Sequence, residues 1–117
     1  EMAKAKLNLQ AIQNGDYTTL KGTWVNRLGY TLTFNENGLV SDKEVVDFSR
    51  LKDENGILRV GIQPKEPGPG GAVLAFIPAG VTFPYSTSDP SQIDRDRLWT
   101  GQALSDDPAD FYYKLDE

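Results

Sequence analysis

Apolar and polar residues alternate at period two along much of the chain, the pattern of strands that bury one face of a sheet. In segments 30–34, 46–49 and 58–62 a large apolar residue occupies every second position. The sequences Asn-Glu-Asn-Gly at 35–38 and Asp-Glu-Asn-Gly at 53–56 lie between these segments and favour tight turns. This part of the chain is therefore predicted to form consecutive antiparallel strands.

A short helix is predicted before the first strand. The apolar residues between positions 7 and 12 have the spacing of one helix face, and the Asn-Gly pair at 14–15 provides a stop. Period two begins soon afterwards. We therefore divide the chain into an N-terminal helical segment, residues 1–20, and a β meander, residues 21–117.

The second half of the chain combines strands with two long loops. The run of prolines and glycines at 64–71 predicts a surface loop, because proline cannot donate a hydrogen bond within a sheet. The run 72–78 is apolar throughout and predicts a strand buried on both faces. Residues 80–96 are predicted to be mostly loop, and segments 97–101 and 111–115 are predicted to close the chain as strands.

About six or seven short strands, spaced roughly ten residues apart, predict an all-β fold. The expected architecture is a small antiparallel lipocalin-like β-barrel, or a curled sandwich, with a short N-terminal helix. Residues 1–117 are long enough for one domain, and side chains are expected to fill its interior. The predicted inward residues are Trp24, Leu32, Phe34, Phe48, Leu58, Val60, Ile62, Leu74, Phe76, Phe111 and Tyr113.

Composition removes several kinds of chemistry, because the chain contains no cysteine and no histidine. Disulfides, thiolate nucleophiles, Cys/His zinc sites, haem ligation by those residues and a Ser-His-Asp triad are all excluded. Acid–base chemistry would depend on carboxylates, Lys or Tyr. No cofactor is expected.

The distribution of charge narrows the range of partners. Acidic and basic residues balance over 1–63, whereas 64–117 supplies the whole net charge of −5 and contains all seven prolines. An acidic second half argues against nucleic acid, because phosphate binding requires a basic patch. It also argues against electrostatic attachment to an anionic membrane. No apolar run approaches the ~20 residues of a membrane helix.

The Gly-x-Trp triplet at 22–24, between the predicted helix and the first strand, is similar to the start of lipocalins and fatty-acid-binding proteins. The Trp of those families closes one end of the barrel. Trp24 is accordingly predicted to be a buried structural residue, sharing one strand face with Gly22.

A longer series of motifs covers most of residues 8–115. It comprises NGDYTTLKGTWVN at 14–26, YTLTFNENGLV at 30–40, FIPAGV at 76–81, DRDRLWTG at 94–101 and YYKL at 112–115. In order and spacing this series resembles a domain of unknown function found in surface lipoproteins of streptococci, enterococci and lactobacilli, with no counterpart found for 41–72. The resemblance implies an exported extracellular domain, tethered by a lipidated cysteine upstream of Glu1, and it implies no enzymatic activity.

Asp89, Asp94 and Asp96 form a candidate calcium site among the Ser and Thr residues of the predicted loop 86–97. Calcium takes six to eight oxygen ligands, of which three carboxylates could supply half. Their spacing differs from that of an EF-hand. We expect these aspartates to cap turns or to pair with neighbouring arginines, and stability to be independent of metal.

A second acidic group, Asp106, Asp107 and Asp110, surrounds Pro108. Two carboxylates on opposite sides of a cleft can hydrolyse glycosides. So small a domain rarely forms such a cleft, and a solvated acidic turn is expected instead.

Aromatic side chains could stack on a sugar or line an apolar ligand site; the candidates are Trp24, Trp99, Tyr85, Tyr112 and Tyr113. The alternation in 111–115 predicts that Phe111, Tyr113 and Leu115 face inward. This phase leaves Tyr112 outside. Tyr112, Tyr85 and Trp99 are therefore the predicted aromatic contact residues.

These observations lead to three hypotheses of function. The first is a non-enzymatic extracellular binding or interaction domain of a Gram-positive cell-surface lipoprotein, expected to be a monomer with a cell-wall, host or protein partner. The alternative is a lipocalin-type carrier of a small apolar ligand, which an apolar interior cavity of ~300 Å³ or more would favour. The third is an enzyme acting through carboxylates. A filled interior beside an exposed aromatic patch would favour the first.

Overall fold

The computed structural model describes residues 6–66, 70–83, 91–102 and 107–115. Within them it contains one α-helix, eight strands and one 3₁₀ helix. The elements are α1 (Leu9–Gln13), β1 (Gly22–Val25), β2 (Thr31–Asn35), β3 (Gly38–Leu39), β4 (Glu44–Glu54), β5 (Ile57–Pro64), β6 (Ala72–Ile77), β7 (Arg97–Gly101), the 3₁₀ helix Pro108–Asp110 and β8 (Phe111–Lys114). The prediction of six or seven strands was too low, because a two-residue strand such as β3 is too short to show period two.

The strands form a nearly closed antiparallel barrel. Their order is β3-β2-β1-β8-β7-β6-β5-β4, so each strand lies beside its neighbour in the chain except at the two edges, β3 and β4. Pairing of β1 with β8 joins the first and last strands of the chain, with Trp24 opposite Lys114 and Val25 opposite Tyr113. The predicted all-β fold with one short helix is confirmed.

Local chemistry explains the tightest hairpin, between β4 and β5. Asn55 and Gly56 both have positive φ, 56° and 84°. This is the backbone of a type I′ turn, whose twist matches that of the flanking strands, and Asn-Gly is its preferred sequence. Glu54 consequently pairs directly with Ile57.

The inner face of the barrel carries the main hydrophobic core. Its buried residues are Leu7, Ile12, Leu20, Trp24, Leu32, Phe34, Leu58, Val60, Ile62, Leu74, Phe76, Leu98 and Tyr112. The rings of Phe34 and Phe76 meet edge to face across the interior, with centroids 6.3 Å apart. Large residues from facing strands thus meet inside the barrel, as expected, and Phe48 packs against them partly buried.

The N-terminal segment closes one end of this barrel. Its Leu7, Ile12 and Leu20 enter the main core, and Tyr17 stacks on Phe48 of β4 with ring centroids 5.5 Å apart. Trp24 is fully buried, and its indole Nε1 donates to the carbonyl of Leu20 at 3.0 Å. The predicted structural role of Trp24 is confirmed.

A second core lies on the outer face of the sheet. It consists of Ile57, Ala75, Ile77, Phe83, Trp99 and Phe111, with Val73, Val81 and Tyr113 packed around it. The ring of Phe83 contacts Trp99 at 5.0 Å and Phe111 at 5.3 Å between centroids. Segment 72–77 faces both cores, which confirms that this apolar run is buried on both sides.

This second core corrects the predicted faces of β8. Phe111 and Tyr113 belong to the outer cluster, Leu115 is 47% exposed, and Tyr112 faces the barrel interior. The alternation was assigned the wrong phase because both faces of β8 are covered. Phe111 and Tyr113 are apolar because they pack in the outer core, so their alternation marks the outer face of β8.

Candidate functional site

A cavity of about 230 Å³ lies at the end of the barrel opposite α1. It is lined by Leu32, Glu44, Ile62, Gln63, Pro64, Gly71, Ala72, Thr100, Gln102 and Tyr112. We call this group the mouth. The mouth is open to solvent on one side, and the main core forms its floor.

Strand register brings the lining residues together. Ile62 of β5 lies opposite Ala72 of β6. On β7, Leu98 lies opposite Tyr112 of β8, and Thr100 follows two residues after Leu98. Side chains two residues apart share a face of a strand. Thr100 therefore shares the inner face with the buried Leu98, and its hydroxyl group lies where the main core meets the cavity.

Tyr112 is the central aromatic residue of the mouth. Its side chain is only 7% exposed. Burial raises its pKa above the ordinary value of 10.0; the hydrogen bond with Thr100 opposes this, and the nearby charge of Glu44 adds to it. The phenol consequently stays neutral at physiological pH, with its hydroxyl beside polar groups and its ring in the main core.

The turn between β1 and β2 forms an apolar rim at the same end. Asn26 is buried, and its Oδ1 accepts hydrogen bonds from the backbone N–H of Leu28 at 2.9 Å and of Tyr30 at 3.0 Å. Such a side-chain cap fixes the path of a turn. Leu28 and Tyr30 are held at 63% and 65% exposure.

The opposite side of the mouth is braced between two strands. The side-chain amide of Gln102, just past β7, donates to the carbonyl of Gly71 at 2.6 Å. This contact joins the end of β7 to the start of β6. The wall that carries Thr100 is therefore held in place beside the cavity.

Comparison with known families gives one result. The family model described as "Domain of unknown function (DUF6287)" matches residues 1–117. The chain belongs to this family. The match includes 41–72, the segment for which the sequence motifs gave no counterpart. No curated protein and no solved structure matches the chain.

Two of the predicted aromatic contact residues, Tyr112 and Trp99, lie on opposite faces of the sheet in this DUF6287 domain. Tyr112 lines the mouth, so its predicted exposure was wrong although it lies at the candidate site. Trp99 is 3% exposed within the outer core, and its Nε1 has no acceptor among the described residues. Tyr85 lies outside the described residues.

The calcium candidates Asp94 and Asp96 have different roles in the structure. Asp96 joins two segments, because its carboxylate accepts the backbone N–H of Leu7 at 2.9 Å and of Ala79 at 2.8 Å. Asp94 is exposed in a turn, and Asp89 lies outside the described residues. Across the described part of the chain, no three acidic side chains are grouped so that they could hold a metal ion.

Arg97, the first residue of β7, is charged and fully buried. Its guanidinium donates to the backbone carbonyls of Pro78, Ile93, Arg95 and Val81. These bonds fasten the connection between β6 and β7 onto the outer face of the sheet.

The acidic turn before β8 also has a structural role. Asp107 caps the 3₁₀ helix, and its Oδ1 accepts the N–H of Ala109 at 2.9 Å. Asp110 is the last residue of that helix, and Asp106 lies outside the described residues.

Several mouth residues were missed by sequence reasoning. Glu44, Gln63 and Thr100 are ordinary polar residues near strand ends, and their types and spacing match no motif. One signal was present. Thr100 lies two residues beyond Leu98, so alternation along segment 97–101 could have marked it as a polar residue on an inward face.

No helix in the described part of the chain has the length and apolar character needed to cross a membrane.

Proposed function

We propose that this DUF6287 domain is a non-enzymatic extracellular binding domain of a Gram-positive cell-surface lipoprotein, and that the mouth and its rim form the contact surface. The observation that carries the proposal is the contrast between a filled barrel interior and a cavity of about 230 Å³ at its open end. Concave sites with a mainly apolar floor and a few polar groups are the usual places for ligand binding.

The rim supports a contact surface larger than the cavity. Leu28 and Tyr30 are more than half exposed although a buried Asn26 fixes the turn that presents them. Exposed aromatic and aliphatic residues beside a concavity are typical of interaction sites. The partner would be a component of the cell wall, of a host surface or of another protein.

The carrier alternative has less support. Ligand cavities usually measure ~300–1,000 Å³, whereas the mouth measures about 230 Å³ and opens outward. Large side chains occupy the space in which an acyl chain would lie. A fluorescent fatty-acid probe tests this alternative: saturable one-to-one binding at micromolar affinity, lost in Val60→Trp, would favour the carrier over the proposal.

The proposal is tested by titrating isotope-labelled protein with soluble fragments of Gram-positive cell wall and following backbone amide signals by NMR. Shifts should concentrate at the mouth, at Gln63, Thr100 and Tyr112, and should be absent around Trp24. The matched variant is Ala72→Trp, which fills the cavity from β6, with its fold checked by circular dichroism. Shifts confined to the end that carries α1, or equal binding by Ala72→Trp, would contradict the proposed surface.

The proposed location has its own test. In cells that express the full-length protein, externally added protease should cleave this domain while cytoplasmic markers remain intact. Protection of the domain in intact cells would contradict an extracellular position.

A further inference from the structure

We infer that the mouth binds one neutral, polyhydroxylated unit of a glycan, about the size of a single pyranose ring; this inference rests on the proposed function. Three features of the mouth carry it: its volume, the charge of its lining and the mixture of hydrogen-bonding groups above an apolar floor.

The volume sets the size of the ligand. About 230 Å³ lies below the ~300–1,000 Å³ of the usual pockets for drug-sized ligands. This space is too small for an acyl chain or a folded peptide and suits one ring with its substituents. Because one side opens to solvent, the remainder of a polymer can continue outward over Tyr30 and Leu28, which are exposed at the rim.

The charge of the lining selects against anions. Among the described residues that line the mouth, Glu44 is the charged one, and none is Lys or Arg. Its negative charge lies close enough to Tyr112 to help raise the pKa of that phenol. A phosphate or carboxylate in the mouth would face this charge without a positive partner from the lining. The mouth is therefore suited to a neutral ligand.

The hydrogen-bonding groups distinguish a polyol from a cation. A sugar hydroxyl both donates and accepts, as do the hydroxyl groups of Thr100 and Tyr112, while Glu44 accepts. A cationic group only donates, so it would use the carboxylate and offer no acceptor to a hydroxyl proton of the lining. Leu32, Ile62 and Ala72 provide an apolar surface for the C–H face of a ring.

The test is an NMR titration of the intact chain with three kinds of small probe. The neutral probes are methyl glycosides of hexoses and of N-acetylhexosamines, the cationic probe is lysine amide, and the anionic probe is a hexose phosphate. We expect saturable shifts at Gln63, Thr100 and Tyr112 with at least one neutral glycoside at millimolar concentration. The hexose phosphate should bind at least tenfold more weakly than the parent sugar.

Paired variants connect the signal to the mouth. Thr100→Val removes a hydroxyl while keeping the shape of the side chain, and should weaken glycoside binding about five- to tenfold, the loss of roughly one hydrogen bond. Thr31→Val is the matched control, because Thr31 is an exposed β-strand threonine outside the mouth. Its affinity should equal that of the unmodified protein.

The outcomes separate this inference from the function on which it rests. Wall fragments that bind at the mouth while every neutral glycoside fails would overturn the glycan inference and leave the proposed function standing. Preferential binding of lysine amide would overturn it in favour of a cationic ligand. Failure of both the wall fragments and the glycosides would overturn the inference together with a cell-wall partner, and would leave the proposed function with a host or protein partner.

Discussion

The two ends of the barrel use the same kind of strand to different effect. At one end the N-terminal segment covers the opening, and Leu7, Ile12 and Leu20 complete the core around Trp24. At the other end none of the described residues covers the strand ends, and polar residues such as Thr100 and Gln63 line a cavity. One end of this barrel is therefore closed by a segment outside the sheet. The other end holds the cavity that we propose as the binding site.

The largest expected effect tests the closed end. Trp24→Ala should lower the free energy of unfolding by roughly 3–5 kcal/mol, because it empties a fully buried site and removes the donor to Leu20. The measurement is denaturant unfolding followed by circular dichroism. Tyr30→Ala at the open end is the matched aromatic variant and should change stability by no more than about 0.5 kcal/mol. Equal losses in the two variants would remove the distinction between the ends.

A substitution at Gly101, the last residue of β7, tests the packing of the outer face near the open end. A Cβ at Gly101 would lie 2.5 Å from the ring of Trp99. Gly101→Ala should therefore cost about 2–3 kcal/mol through overpacking. The control is Gly61→Ala, where the added carbon lies 3.5 Å from Asp47 in ordinary contact. Equal stability of Gly101→Ala and Gly61→Ala would contradict the position of the Trp99 indole against Gly101.

A smaller effect is expected where the covering segment is attached. Asp96→Asn removes the charge that accepts N–H groups from Leu7 and Ala79 and leaves one suitable acceptor oxygen. The loss in stability should be about 1–2 kcal/mol. Asp94→Asn, on an exposed turn residue, should have almost none. Hydrogen exchange should also accelerate in residues 7–20 of the Asp96 variant, and unchanged exchange there would argue against the attachment.

The phenol at the mouth predicts a dependence on alkaline pH. The pKa of Tyr112 is raised in the folded state above 10.0, chiefly by burial. Its contribution to stability is fully present below the unfolded pKa and is lost as pH rises through the folded pKa. In absorbance titrations, Tyr112→Phe should remove a tyrosinate step that lies above the ordinary value of 10.0. Loss of a step at the ordinary value instead would show that the mouth does not shield this ring.

The smallest expected effect is none. Melting temperatures measured in EDTA and in millimolar calcium should coincide, because Asp96 is occupied with the backbone N–H groups of Leu7 and Ala79. A true calcium site would add ~2.7 kcal/mol at a hundred times its dissociation constant. A rise of several degrees would make Asp89, Asp94 and Asp96 candidate ligands again.

Alternation predicted the strand faces correctly where large apolar residues occupy only one face of the strand. The inward phase of Leu58, Val60 and Ile62 is confirmed, and so is the predicted burial of Trp24 in the first strand after the helical segment. It failed at β8, because the outer core makes the odd positions apolar as well. Period two cannot assign a face when both sides of a strand are buried.

The candidate site was less predictable than the fold, for a physical reason. Glu44, Thr100 and Tyr112 come from β4, β7 and β8, and only the register of a nearly closed sheet brings them together. Register depends on pairings between distant segments, which local alternation does not encode. Tyr112 was selected among the aromatics, although on the assumption that it was exposed.

The pairing of β1 with β8 determines when this domain can fold. It joins residues 24–25 to residues 113–114, so β1, β2 and β3 have no partner in the rest of the sheet until β8 is present. Contacts so distant in the chain form slowly, because the intervening segment must be ordered before they stabilise anything. During synthesis from the N-terminus, the barrel can therefore close only after β8 has emerged.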